Sequence, residues 1–118
     1  MVKVMNQQIK RCGWVGDDPL MILYHDREWG VPLHDDNKLF EFLILDCFQA
    51  GLSWRTILKK RFNFRRAFAQ FDPAKIAKYK EAEIKKLLAN AGIVRNHLKI
   101  LAAITNAQKF LEIQKAQR

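Results

Sequence analysis

Apolar positions along this chain recur at three- and four-residue spacing, and no segment shows the two-residue alternation of a half-buried strand. The predicted class is all-α. Asp17-Asp18-Pro19 reads as a helix start, with an acidic cap and Pro in the first turn. That helix carries Met21-Ile22-Leu23-Tyr24-His25 and stops near Trp29-Gly30. Asp35 or Asp36 caps a second helix, which ends near Ala50-Gly51 with Gly at the C-terminal cap. Ser53 caps a third from Trp54 to about Arg61, and a further helical piece holds Phe64 to Phe68. Asp72-Pro73 repeats the cap-plus-Pro signal ahead of a short helix with Ile76. Another runs from about Glu81 to Asn90, Ala91-Gly92-Ile93 breaks it, and a last helix begins near Val94. Ile100, Leu101, Ile104 and Phe110-Leu111 give that last helix an apolar stripe.

The length of 118 residues predicts a single helical domain over 1–118, with residues 1–10 as an extra or disordered segment. No apolar run reaches transmembrane length and the N-terminus is too polar for a signal peptide, so no membrane partner is expected. Two cysteines, Cys12 and Cys47, make no disulfide framework and suit a reducing cytoplasm. The net charge of +9 is unevenly spread. Residues 1–46 hold five Lys/Arg against eight Asp/Glu, and residues 47–118 hold sixteen against four, local balances of −3 and +12. A solvated surface would carry such charge, and so would a face for a polyanion.

Four constellations bear on chemistry. Leu87 to Lys99 reads as two helices joined by a tight turn at Ala91-Gly92-Ile93, a helix-hairpin-helix with Arg95 and Lys99 opening the second helix. The first N–H groups of a helix have no intrahelical partner, so a phosphate can dock there without any reading of base sequence. An ordinary helical hairpin has the same pattern; the basic half around this one favours DNA. Arg55 to Arg66 holds six basic residues in twelve, with Phe62 and Phe64 expected in the core. Asp46 lies on a helix apolar almost all round, which predicts burial, and none of its helical neighbours Phe42, Leu43, Gln49 and Ala50 is a cation. Such a carboxylate either pairs with a distant Arg or Lys or serves a cationic ligand. Trp14, Tyr24, Trp29 and Trp54 sit at element ends, where rings suit a flat cationic heterocycle.

Taken in order, Arg11-Cys-Gly-Trp14, Asp18-Pro-Leu20 and Tyr24-His-Asp-Arg-Glu-Trp-Gly-Val-Pro32 resemble the opening of the DNA-3-methyladenine glycosylase I family. Lys38-Leu-Phe-Glu41, Gln49-Ala-Gly-Leu-Ser-Trp54, Ile57-Leu-Lys-Lys60, Phe71-Asp-Pro73, Ala91-Gly-Ile93 and Lys99-Ile100 continue it, over about residues 11–112. The resemblance implies a helix-hairpin-helix glycosylase of base excision repair, bacterial in type and associated with the nucleoid. Its partner would be double-stranded DNA containing alkylated bases, and its reaction the hydrolysis of the N-glycosidic bond of 3-methyladenine. By position, Tyr24 and Trp54 would contact and stack on the extruded base, with Trp14 and Trp29 walling the pocket. Asp46 falls where the family has Glu, as the recognising or catalytic carboxylate; it is one methylene shorter, and a shift of about 1 Å in such a site can cost roughly 10²-fold. Cys12 and His25 match two of four ligands of a structural zinc; the other two, a Cys and a His, come in the family from a further helical portion that this chain does not supply. A fragment, a shortened form and a site shared between chains all stay open, as does a non-catalytic helix-hairpin-helix DNA-binding module or a helical protein-interaction domain.

Overall fold

The computed structural model describes residues 11–117, so the expectation for residues 1–10 lies outside the described residues. The described chain is helical, without strands, and divides into two compact units at Pro32–Leu33. The first unit begins with a 3-10 turn at Gly13–Val15 and continues into α1, Pro19–Arg27. Asp18 caps α1 by accepting from the Leu20 N–H at 2.8 Å. After α1, the Glu28 and Trp29 N–H groups both donate to the Tyr24 carbonyl, and Gly30 at φ +72° turns the chain.

The second unit holds α2 (Asp36–Gln49), α3 (Trp54–Ala67), α4 (Pro73–Ile76), α5 (Glu81–Ala89) and α6 (His97–Ala116). Side chains of Asp35, Ser53, Asp72 and Asn96 accept from backbone N–H groups two or three residues on, and so start α2, α3, α4 and α6. The long α6 packs against α2, α4 and α5, and α2 packs on α3. Phe40, Ile44, Leu45 and Phe48 of α2 meet Ile57 and Phe64 of α3 and Phe68 just past its end in one core, closed by Ile100, Ile104 and Ala107 of α6. Phe48 lies 4.8 Å from Phe64 and 5.6 Å from Phe68 between ring centres, in tilted pairs.

Three places depart from the sequence expectation. The third helix is continuous through Phe64 instead of breaking near Arg61. Nothing between those residues breaks a helix, and the Asn63 amide donates to the Gly92 carbonyl instead of competing for its own backbone. The last helix starts at His97, three residues late, because Asn96 is its cap and Val94-Arg95-Asn96 stays outside it. A 3-10 turn at Ala69–Phe71 was not expected: all three residues have φ between +51° and +57°. Left-handed backbone costs about 1–2 kcal/mol per L-residue; full burial of Phe68 and Phe71 on either side offsets it.

Candidate functional site

In the first unit the aromatic residues converge. The Trp14 ring stands edge-on to Trp29 and to His25, with ring centres 5.6 and 5.5 Å apart, and lies 6.3 Å from Tyr24. His25 stacks on Trp29 at 5.3 Å, with planes within 14°. The geometry follows from α1 and its end: Tyr24 and His25 sit on its last turn, and the hydrogen bond from the Trp29 N–H to the Tyr24 carbonyl brings Trp29 back beside them. Trp14 and Trp29 remain about half exposed.

Asp26 orders this end. Arg11 grips its carboxylate through Nε at 2.9 Å and a terminal nitrogen at 2.6 Å, and His25 Nδ1 lies 3.1 Å from it. The Arg11 and His25 hydrogen bonds hold the Asp26 carboxyl at about 2. His25 is thereby oriented by a carboxylate neighbour, as metal-binding imidazoles often are. Cys12 is half-buried and starts the 3-10 turn. Yet among the described residues no group of three or more His, Cys, Asp or Glu is placed to hold a metal ion. A structural zinc needs four ligands, so Cys12 and His25 do not by themselves fit one.

In the second unit Asp46 lies on α2, and its placement corrects one expectation: it is exposed, not buried. Only one face of α2 enters the core, through Phe40, Glu41, Ile44, Leu45 and Phe48. Asp46 shares the other face with Leu39 and Leu43, both of which stay more than 40% exposed. No hydrogen bond or ion pair reaches its carboxylate among the described residues. The apolar surroundings remove enough water to push its pKa above the ordinary value. The buried acid of this helix is instead Glu41, only 8% exposed, gripped by Arg65 of α3 through Nε at 3.1 Å and a terminal nitrogen at 2.8 Å. The acid paired with a distant arginine therefore exists, one and a half turns before Asp46. Trp54 opens α3, partly buried against the core, with its indole nitrogen buried.

The basic segment of α3 corrects a second expectation. Phe64 is core, but Phe62 is 66% exposed and lies under the Arg66 guanidinium, 5.8 Å from ring centre.

The turn between α5 and α6 is held from inside. Asn90 Oδ1 accepts from the Gly92 N–H at 2.8 Å, and Asn63 donates to the Gly92 carbonyl at 3.2 Å. A Cβ on Gly92 would stand 2.9 Å from Asn63 Nδ2, so a side chain there would displace the Asn63 amide. Ala91 is exposed and Ile93 is core. The Gly92 N–H is thus already taken, and Ile93 N–H reaches the Asn90 carbonyl. Among the described residues nothing accepts from the N–H groups of Val94 and Arg95, which lead into the second helix, or of His97 and Leu98, which open it. Arg95 is exposed without an ion pair there. Lys99 is engaged elsewhere: its ammonium donates to the Phe48 and Ala50 carbonyls at 2.9 and 2.5 Å, capping the C-terminal end of α2. Sequence spacing could not distinguish a lysine facing phosphate from one facing carbonyls forty-nine residues away.

The chain is similar to known proteins in sequence and in fold. The family model for methyladenine glycosylase matches residues 14–118. DNA-3-methyladenine glycosylase 1 of Escherichia coli (strain K12) is 53% identical over 106 residues, which are 90% of this chain and 57% of that protein. A crystal structure of 3-methyladenine DNA glycosylase I superposes with a TM-score of 0.89 at 51% identity, covering 92% of this chain and 60% of that one. A structure of the Staphylococcus aureus enzyme, described as showing the basis of its 3-methyladenine recognition, superposes at 0.86 with 40% identity, over 89% of this chain and 56% of that one. This chain spans somewhat under three-fifths of the length of the curated relative. On the family match and these likenesses, the chain belongs to the methyladenine glycosylase family.

Proposed function

We propose that this chain carries the DNA-docking and base-reading parts of a helix-hairpin-helix DNA-3-methyladenine glycosylase, acting on alkylated bases in double-stranded DNA. The observation that carries this reading is Asp46: an exposed carboxylate, without an internal partner and with a raised pKa, at the family's carboxylate position. An adenine alkylated at N3 bears a positive charge, so its glycosidic bond is already weakened. Such a reaction needs the base extruded, held flat, and faced with negative charge. Asp46 supplies the charge, and the Trp54 ring supplies stacking. The bond between the sugar carbon and the base nitrogen breaks, its electron pair goes to the base and cancels the charge, and water oxygen bonds to that carbon while its proton passes to solvent. At the hairpin, the free N–H groups after Gly92 and the Arg95 cation favour a phosphate. Two free cysteines fit a reducing cytoplasm.

The test is release of free base. Methylated duplex DNA incubated with the chain yields 3-methyladenine at a rate above the spontaneous one. Tight, salt-sensitive duplex binding without release would point instead to a DNA-binding module that has lost the chemistry.

A further inference from the structure

On one side of the α5–α6 turn, the end of α3 and the face of α5 enclose two adjoining cavities of about 390 and 360 Å³. The first is lined by Asn63, Arg66, Ala67 and Asn90, and contains no acid. The second shares Arg66, Ala67 and Asn90 and adds Tyr79, Glu83, Lys86 and Leu87. Neither Arg66 nor Lys86 makes an ion pair among the described residues. Glu83, the one carboxylate here, is confined to the far cavity, where it accepts from the Lys80 N–H at 2.7 Å at the start of α5.

The two asparagines fix what the near cavity offers. Because the Gly92 N–H donates to Asn90, that amide must present its oxygen to the turn, which leaves the Asn90 NH₂ group unspent. Because the Gly92 carbonyl accepts from Asn63, that amide presents nitrogen to the turn and keeps one further N–H. A guanidinium held over the Phe62 ring, an uncommitted amide NH₂ and an acid-free wall make a donor-only surface. The chemistry it suits is a tetrahedral oxyanion.

We propose that this cavity binds one phosphodiester of duplex DNA, as a second backbone contact separate from the N–H groups that open α6, with Arg66 as its cation and Asn90 as its neutral donor. The inference rests on the DNA reading above and adds residues which that reading does not use. Asn90 then serves the turn with its oxygen and the DNA with its nitrogen, so register at the hairpin and grip on the backbone are set by one side chain.

The experiment is fluorescence anisotropy of a labelled undamaged duplex across a salt series. Arg66→Gln is expected to weaken binding about fivefold or more at fixed salt and to lower the slope of log affinity against log salt by about 0.9, one phosphate contact. Arg66→Lys keeps the slope while losing part of the affinity, since an ammonium lacks the fork of donors. Asn90→Asp keeps the acceptor for Gly92 and places a negative charge in the cavity, so it also weakens binding. Lys115→Gln removes a charge about 27 Å along α6 from the hairpin and leaves affinity and slope nearly unchanged. If Arg66→Gln and Asn90→Asp match Lys115→Gln while Arg95→Gln weakens binding, the hairpin reading stands and this cavity is not a phosphate site. If the unaltered chain does not bind duplex at all, the DNA reading falls, and this site with it.

Discussion

At Asp46 the loss of surrounding water raises the carboxyl above its ordinary value of 3.8, so folding favours the protonated acid. A raised acid contributes most stability below its unfolded value and loses it as pH rises through its folded value. At neutral pH the ionised side chain is therefore a small cost to the fold, with no partner to offset it. Asp46→Asn should unfold at equal or slightly higher denaturant than the unaltered chain at pH 7, by about 0.5 kcal/mol or less, with the difference gone near pH 3. Destabilisation at pH 7 would instead mean a structural partner for Asp46. Glu41, unlike Asp46, is buried and paired, its carboxylate gripped by Arg65. Arg65→Met leaves the Glu41 carboxylate buried and alone, at a cost of about 3 kcal/mol. Glu41→Gln costs less, because the Arg65 side chain is 40% exposed and water can take it over. Urea midpoints for the two variants check that order, and the reverse order would contradict it.

Helix starts were legible from the sequence because each rests on a local signal. Asp18-Pro19, Ser53 and Asp72-Pro73 cap as expected, and Asp35 is the one of its pair that does so. What spacing could not give was which face of each helix meets the core. The helix of Asp46 is apolar almost all round, so periodicity predicts burial without choosing a side; packing against α3 and α6 buries one side and leaves Leu39, Leu43 and Asp46 out. The same limit hid Glu41, whose partner lies twenty-four residues on, and Lys99, which reaches back to the end of α2. The hairpin was read correctly as a break at Gly92, but its reason is steric: a side chain there meets Asn63 and Asn90. Gly92→Val should accordingly keep the helical far-ultraviolet signature while weakening duplex binding, by displacing the Asn63 and Asn90 amides that shape the turn. Unchanged affinity at moderate salt would remove the turn from the interface.

Over the whole molecule, charge and chemistry divide along the chain. The acidic residues 1–46 carry the aromatic cluster around His25 and the carboxylate of Asp46, and the basic residues 47–118 carry the hairpin and the Arg66 cavity. By the resemblance Cys12 and His25 would be only two of four zinc ligands, so this 118-residue chain alone should retain little zinc after extensive dialysis. One zinc per chain, lost in Cys12→Ser, would contradict that and require ligands from a second copy. Asp46 as the reader of the alkylated base is the claim on which the functional account turns. The most direct measurement compares base release from methylated duplex by the unaltered chain and by Asp46→Asn, with affinity for undamaged duplex recorded for both. The account predicts that affinity stays the same while release falls by about 10²-fold, the scale of losing one preorganised charge in such a site; release that survives the substitution intact would contradict it.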